Sequence, residues 1–378
     1  MENYENIESM DNFNWYYKDQ FKWSLINYSK NKSKRIVFVG NKIDDSKFTV
    51  VIKKIRVDNN YQLILKEIYF LACCRKCIYF IKLIDLFLSD DNKFIFLVLK
   101  DEGESLEHLI NYTNGNKEGF DYTKIEDMIK WTIFQIVCGL YILHKNKLVH
   151  HDIKLGNVLI SSTGVVKIAD FGSVDKIDTK GNATIFYESP NILIGKKATD
   201  KDDMWAVGVI MIELYRKSYP YFNFKQFSPQ FYLQKEKLFQ LKSILTKYKL
   251  TTNNNVIDVN NYYNFINVAN NILSTNSYEL FNFKEELNII NEIKDPEAID
   301  LISGLLRLNP EKRFSAEEAL NSKFLSKYKE YKDQLKQYKI SFDDNDYINL
   351  LSGVQNENIF LKNVKLIKQK FIGEDIFE

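Results

Sequence analysis

The hydrophobic pattern of this chain changes period near residue 100, and that change restricts its fold. From about 22 to 98 the chain reads in short strand-like runs rich in β-branched and aromatic residues: RIVFVG (35–40), KFTVVIKKI (47–55), FIKLIDLFL (80–88) and KFIFLVL (93–99). One run between them, YQLILKEIYFLA (61–72), places apolar Leu63, Ile64, Ile68 and Leu71 at helical spacing. After DEGES (101–105) the pattern turns helical, through SLEHLINY and YTKIEDMIKWTIFQIVCGLYILHKNK. The predicted class is α+β: a small antiparallel sheet with one helix over 22–99, a connector at 100–105, and a larger, mainly helical lobe over 106–328. Residues 1–21 read as an N-terminal arm and 329–378 as a Lys-rich tail, amphipathic in patches.

At 378 residues and 45% hydrophobic, the chain is long enough for two lobes. With 52 basic and 50 acidic residues, its charge gives no reason to expect nucleic acid or a membrane surface as a partner. The apolar runs are too short to cross a bilayer core of about 30 Å as helices. The N-terminal MENYENIESMDNF lacks the basic patch and apolar run of a secretory signal, so a cytoplasmic or nuclear location is expected. Cys74 and Cys77 have CxxC spacing, but no second pair or nearby His completes a zinc site, and reduced thiols at a helix end are expected. The Asn-rich stretch 252–276 reads as compositional bias.

The chemistry concentrates in LVHHDIKLGNVLI (148–160) and KIADFGS (167–173). Asp152 is followed at +2 by Lys154 and at +5 by Asn157; Asp170 lies thirteen residues beyond Asn157, across a two-stranded unit whose turn is Ser162, Thr163 and Gly164. Any one of these residues alone reads as a solvated loop charge. Together they suit phosphoryl transfer, in which catalysis is mostly positioning and neutralisation of spread-out negative charge. Asp152 can orient an attacking hydroxyl and accept its proton, Lys154 can stabilise the transferring group, and Asn157 and Asp170 offer oxygen ligands to Mg²⁺.

These segments resemble the catalytic loop and the DFG motif of protein kinases. Further landmarks appear in order: VVIKKI (50–55), TIFYESPN (184–191), DMWAVG (203–208) and LLRLNPEKRF (305–314). The resemblance covers about residues 22–328 and implies a bilobal kinase fold using ATP and Mg²⁺ on a protein substrate. It implies Lys53 as the residue contacting the α- and β-phosphates and Glu67, on the helix 61–72, as its ion-pair partner. It also implies Val51 as part of the roof over adenine, Leu99 as gatekeeper, Lys100 to Glu102, centred on Asp101, as the hinge, and Leu159 beneath the adenine. Lys154 is the serine/threonine form of the loop. ILIG (192–195) and the one-piece connector LKDEGESL (99–106) look most like the cyclin-dependent and MAP kinase group. A cyclin-like activator stays open, although the helix 61–72 shows no recognisable docking signature.

The chain departs from the family pattern at several places. INYSKNKSKRIVF (26–38), where a glycine-rich loop is expected, contains no glycine. Either Asn27, Ser29 and Asn31 tolerate the turn while Lys30, Lys32 or Lys34 contact phosphate by charge, or these lysines are solvated loop charges or part of a basic targeting run. His151 replaces the usual Arg, and the run from Asp170 to Pro190 has few hydroxyls, which together predict activity independent of phosphorylation there. Asn191 stands where a Glu usually pairs with the arginine at Arg313, so that arginine must find another partner. His150 is expected to brace the loop through Asp203 and to pack with Phe171. The alternative function is a pseudokinase scaffold that binds partners with weak or no turnover.

Overall fold

The computed structural model describes residues 23–30, 35–42, 45–58, 60–115, 122–179, 184–216, 293–307, 309–354 and 356–372. The N-terminal arm, Asn31, Lys32, Lys34 and the Asn-rich segment lie outside the described residues. The chain divides into two compact units, one from Met1–Arg75, Ile81–Asp101 and Phe342–Glu378, the other from Lys76–Phe80 and Glu102–Ser341.

The first unit holds an antiparallel sheet of β1 (Trp23–Lys30), β2 (Arg35–Lys42), β3 (Asp45–Arg56), β4 (Leu83–Leu88) and β5 (Phe94–Lys100), in the order β1-β2-β3-β5-β4. Alternation along the strands separates its faces. Val50 and Ile52 join Phe38, Ile84, Phe96 and Val98 in one apolar cluster. Val51 and Lys53 have the opposite parity, and Leu99 and Leu97 lie directly across from them on β5. Helix α1 (Tyr61–Cys74) follows β3, with Ile64, Ile68 and Leu71 buried as the periodicity predicts. Leu63 departs from that expectation and is 56% exposed. Burial on α1 runs almost without a break from Ile64 to Cys74, so the helix is covered on more than the sheet side.

The second unit begins with β6 (Glu104–Ser105), α2 (Leu106–Gly115) and the long α3 (Tyr122–Lys145), then β7 (Leu148–Val149). The predicted two-stranded unit forms as β8 (Val158–Ile160) and β9 (Val166–Ile168), with β6 completing a three-stranded sheet. Gly164 takes φ +79° at its turn. Gly103, in the connector, has φ +100° and lies so close to β8 that a Cβ there would stand 2.3 Å from the Ile160 carbonyl oxygen. β10 (Asp175–Lys176) pairs with β7. Then come α4 (Pro190–Leu193), α5 (Asp200–Arg216), α6 (Pro296–Leu305), α7 (Ala316–Leu320) and α8 (Lys329–Asp333). Helix α5 is buried throughout Met204–Ile212 and packs on α3 and α6. Its first turn carries Asp200, Asp202 and Asp203, which suit the positive end of the helix dipole. Asp295 caps α6 ahead of Pro296, and Ser315 with Glu318 forms a capping box on α7.

The chain then returns to the first unit as α9 (Asp344–Leu351) and α10 (Glu357–Ile367), followed by a π-helical turn, Lys368–Ile372. Both helices pack on α1. All four cysteines are buried thiols outside any disulfide, and burial pushes the Cys73 thiol up to about 12 and that of Cys77 to about 11. Among the described residues no helix is long and apolar enough to cross a membrane.

Candidate active site

In the first unit, Lys53 on β3 forms an ion pair with Glu67 on α1. Both side chains are nearly buried, which strengthens the attraction relative to a surface pair and makes either partner costly to leave alone. Val51 and Leu99 sit directly opposite each other on β3 and β5, on the sheet face that carries Lys53. The Asp101 N–H donates to the Thr49 carbonyl, 3.2 Å, tying the start of the connector to β3.

In the second unit, the loop between β7 and β8 is pinned from beneath by Asp203. Its Oδ2 accepts the His150 backbone N–H at 2.8 Å and its Oδ1 that of His151 at 2.9 Å. The ring that bonds Asp203 belongs to His144, 2.9 Å away, while His150 braces the loop on Asp203 through its backbone N–H. The His150 ring instead donates from Nε2 to the Ala169 carbonyl at 3.1 Å and accepts at Nδ1 from the Asp152 N–H at 3.3 Å. Burial lowers its pKa, so it serves as a neutral spacer between Asp152 and the strand leading to Asp170. Phe171 packs edge-on against His150 and against Phe80, as expected of the first pair.

The Asp152 carboxylate, 8% exposed, is held by four hydrogen bonds. Oδ2 accepts from Lys154 Nζ at 2.7 Å and Asn157 Nδ2 at 2.9 Å; Oδ1 accepts from the Thr184 hydroxyl at 2.7 Å and the Thr184 N–H at 3.0 Å. Lys154 Nζ also donates to Thr184 Oγ1 at 2.8 Å, closing a ring. Burial alone would raise the Asp152 pKa; the Lys154 ammonium and the Thr184 hydroxyl hold it below the ordinary carboxylate range.

Asn157 and Asp170 meet because β8 and β9 form a hairpin whose two ends must adjoin. The Ala169 N–H donates to the Asn157 carbonyl at 2.9 Å, and Val158 pairs with Ile168. Asn157 spends both Nδ2 hydrogens on Asp152, one on the carboxylate and one on the backbone carbonyl at 2.7 Å, which leaves Oδ1 as its ligand atom. Asp170 holds φ +61°, a left-handed conformation uncommon for a residue with a side chain. Leu159 follows on β8, across from Lys167 and Ser105.

A model of the protein kinase domain matches residues 36–325. The chain belongs to the protein kinase family. Relatives include a serine/threonine-protein kinase SSN3 from Candida albicans, 31% identical over 63% of this chain and 40% of its own length. Extracellular signal-regulated kinase 7 from Drosophila melanogaster is 25% identical over 75% of this chain and 30% of its own length. Cyclin-dependent kinase 9-A from Xenopus laevis is 30% identical over 52% of this chain and 50% of its own length. This chain thus spans half or less of the length of these three relatives. Their names bear out the resemblance to the cyclin-dependent and MAP kinase group.

Against that family pattern, the substitution at Asn191 is compensated within the kinase domain. Arg313, 1% exposed, donates from Nη1 to Asp202 Oδ1 at 3.2 Å and from Nη2 to Asn191 Oδ1 at 3.3 Å. Nη1 and Nε also reach the carbonyls of Lys201 and Arg307, both at 2.9 Å. The carboxylate that the arginine needs has moved from position 191 to the start of α5, and Asn191 Nδ2 donates to it at 2.7 Å. Sequence reading missed Asp202; the doubled acid before MWAVG was the available signal. It also missed Glu213, which accepts from the Tyr187 hydroxyl at 2.9 Å and whose carboxyl burial pushes up to about 7. His151 sits 3.4 Å from the Thr179 hydroxyl, on a segment already fixed by backbone bonds: β10 to β7, Asp178 N–H to Ala198 and Ala198 N–H to Thr179.

Proposed function

We propose that this chain is a serine/threonine protein kinase that transfers the γ-phosphoryl group of ATP to a hydroxyl of a protein substrate. The hydroxyl oxygen bonds to the γ-phosphorus while the bond to the β–γ bridging oxygen breaks, and ADP leaves with that electron pair. Asp152 orients the hydroxyl and receives its proton. A carboxylate held below its usual pKa is a weak base, which suits a loose transition state in which the proton leaves late. Lys154 carries its charge to the transferring group, kept in place by Asp152 and Thr184. Lys53, positioned by Glu67, neutralises the α- and β-phosphates, and Val51, Leu99, Asp101 and Leu159 bind adenine.

The donor set at Asn157 and Asp170 fits magnesium: one amide oxygen with its orientation fixed and one carboxylate, both hard ligands to an ion that keeps waters and substrate oxygens around it. Magnesium, when bound, offsets charge on the triphosphate. The observation that carries the proposal is the Lys154 ammonium bridging Asp152 and Thr184, since a surface charge pair needs no such ring.

Nucleotide binding is tested by thermal unfolding. Mg²⁺ and ATP at about 100 times Kd are expected to stabilise the chain by about 2.7 kcal/mol, and Asp170→Asn to lose most of the Mg²⁺-dependent part. No stabilisation at millimolar ATP would leave the scaffold reading in its place.

The segment that carries Thr179 is held by β10 and by its backbone bonds to Ala198. Phosphatase treatment is therefore expected to leave turnover unchanged within twofold or so. Loss of most activity on treatment would contradict this.

A further inference from the structure

The last described stretch of the chain folds as a pair of helices with its own local signals. Asp343 caps α9, its side chain accepting from the Asp346 N–H at 2.9 Å, and Asn356 caps α10, accepting from the Ile359 N–H at 3.1 Å. Between the two helices Gly353 takes φ +76°, a left-handed conformation that glycine adopts without strain. Two side-chain bonds then hold the pair in shape. Asn363 Nδ2 on α10 donates to the Leu350 carbonyl of α9 at 2.7 Å, and Lys370 in the π-helical turn pairs with Asp346. A π-helical turn is rare and frequently marks a functional site.

The two helices and the turn enclose an open groove of about 470 Å³, within the size range of ligand sites. Its lining is of three kinds. Leu350, Leu366 and Phe371 are apolar, and Leu366 is left 45% exposed. Lys362 has no ion-pair partner among the described residues, and Lys370 has three N–H donors, of which Asp346 takes one. Asn363 is only 7% exposed; it spends one Nδ2 hydrogen on Leu350, and among the described residues its Oδ1 has no hydrogen-bond partner. A nearly buried amide oxygen of this kind is costly to leave without a donor.

One short peptide segment answers all three: carboxylates for the lysines, an apolar side chain for Leu366 and Phe371, and a backbone N–H for the Asn363 oxygen. A small anion alone would leave the apolar wall bare, and a wholly apolar helix would cover Lys362 and Asn363 without pairing them. We propose that this groove docks a segment of a partner protein in which acidic residues flank an apolar one. The site is independent of the phosphotransfer proposed above, and its occupancy is measured without turnover.

The probe is a library of random heptapeptides panned against the full chain, with the best binder remade as a labelled synthetic peptide for anisotropy. Selected sequences are expected to carry acids on both sides of Leu, Ile or Phe. Lys362→Glu and Leu366→Ser, both at exposed positions where such changes leave folding intact, are each expected to raise Kd by roughly tenfold. Raising NaCl from about 0.05 to about 0.5 M is expected to weaken binding to wild type, because the charge contacts are screened. Thermal unfolding of each variant verifies the fold. Failure to enrich acidic and apolar sequences overturns the proposal. A selected peptide that binds both variants as tightly as wild type also overturns it, since that peptide binds elsewhere. Peptide binding that appears only after removal of residues 373–378, GEDIFE, would give the groove to the chain's own tail and overturn a partner as its occupant. A dimer that Leu366→Ser dissolves would overturn it in favour of a second copy.

Discussion

Asp152→Asn is expected to lower kcat by about 10²–10⁴-fold while leaving KM for ATP nearly unchanged, as measured by steady-state phosphotransfer. The amide matches the carboxylate in size but keeps one acceptor oxygen where the carboxylate uses two, so it can serve Lys154 and Asn157 or the two Thr184 donors, not both. What it lacks is the negative charge that orients the hydroxyl and takes its proton. The nucleotide contacts proposed for Lys53 and Glu67 belong to the other unit and are untouched. A loss below tenfold would remove Asp152 from the mechanism.

The pH dependence has a definite sign. Asp152 is depressed by Lys154 and Thr184 against the opposing effect of burial. A depressed carboxyl stabilises the folded state above its unfolded pKa of about 3.9, and that contribution is lost as pH falls through the lower folded value. Ionisation of Asp152 is thus complete at neutral pH, and no acid limb in kcat above about pH 5 is expected from it.

The largest effect on stability is expected at Asp202. Asp202→Ala removes the carboxylate from a guanidinium that is 1% exposed, and breaking one partner of a buried pair costs about 3–5 kcal/mol. The lost bonds from Ser189, Asn191 and Thr199 add to the disruption. Thermal or denaturant unfolding reads the change. Adding Arg313→Met, which removes the unpaired charge and keeps much of the volume against Trp205, is expected to recover a substantial part of it. A cost under 1 kcal/mol for the single variant would mean that Arg313 is satisfied by Asn191 and the carbonyls of Lys201 and Arg307.

How much of this was legible in the sequence depended on the range of the interaction. The adjacency of Asn157 and Asp170 was readable because a short hairpin with Gly164 at its turn must bring its ends together. Helix α1 was readable from its period, and Lys53 with Glu67 from the resemblance. The partner of Arg313 was not, because it depends on which of several acids at the start of α5 points at a residue more than a hundred positions away. The ring bond from His144 to Asp203 was not legible for a similar reason: period alone does not say which imidazole at the end of α3 or the start of the loop reaches that carboxylate. The cover on α1 was hinted at by IYFLACC, which leaves no polar side for solvent. Its source, residues 342–372, could not be read from a helix at the other end of the chain.

The most direct measurement is transfer of labelled γ-phosphate to a protein substrate, followed by identification of the modified residue type. Wild type is expected to label serine or threonine in the presence of Mg²⁺, and Asp170→Asn to label neither. Label that persists in Asp170→Asn, or none with wild type, would contradict a phosphotransfer site built on Asp152, Asn157 and Asp170.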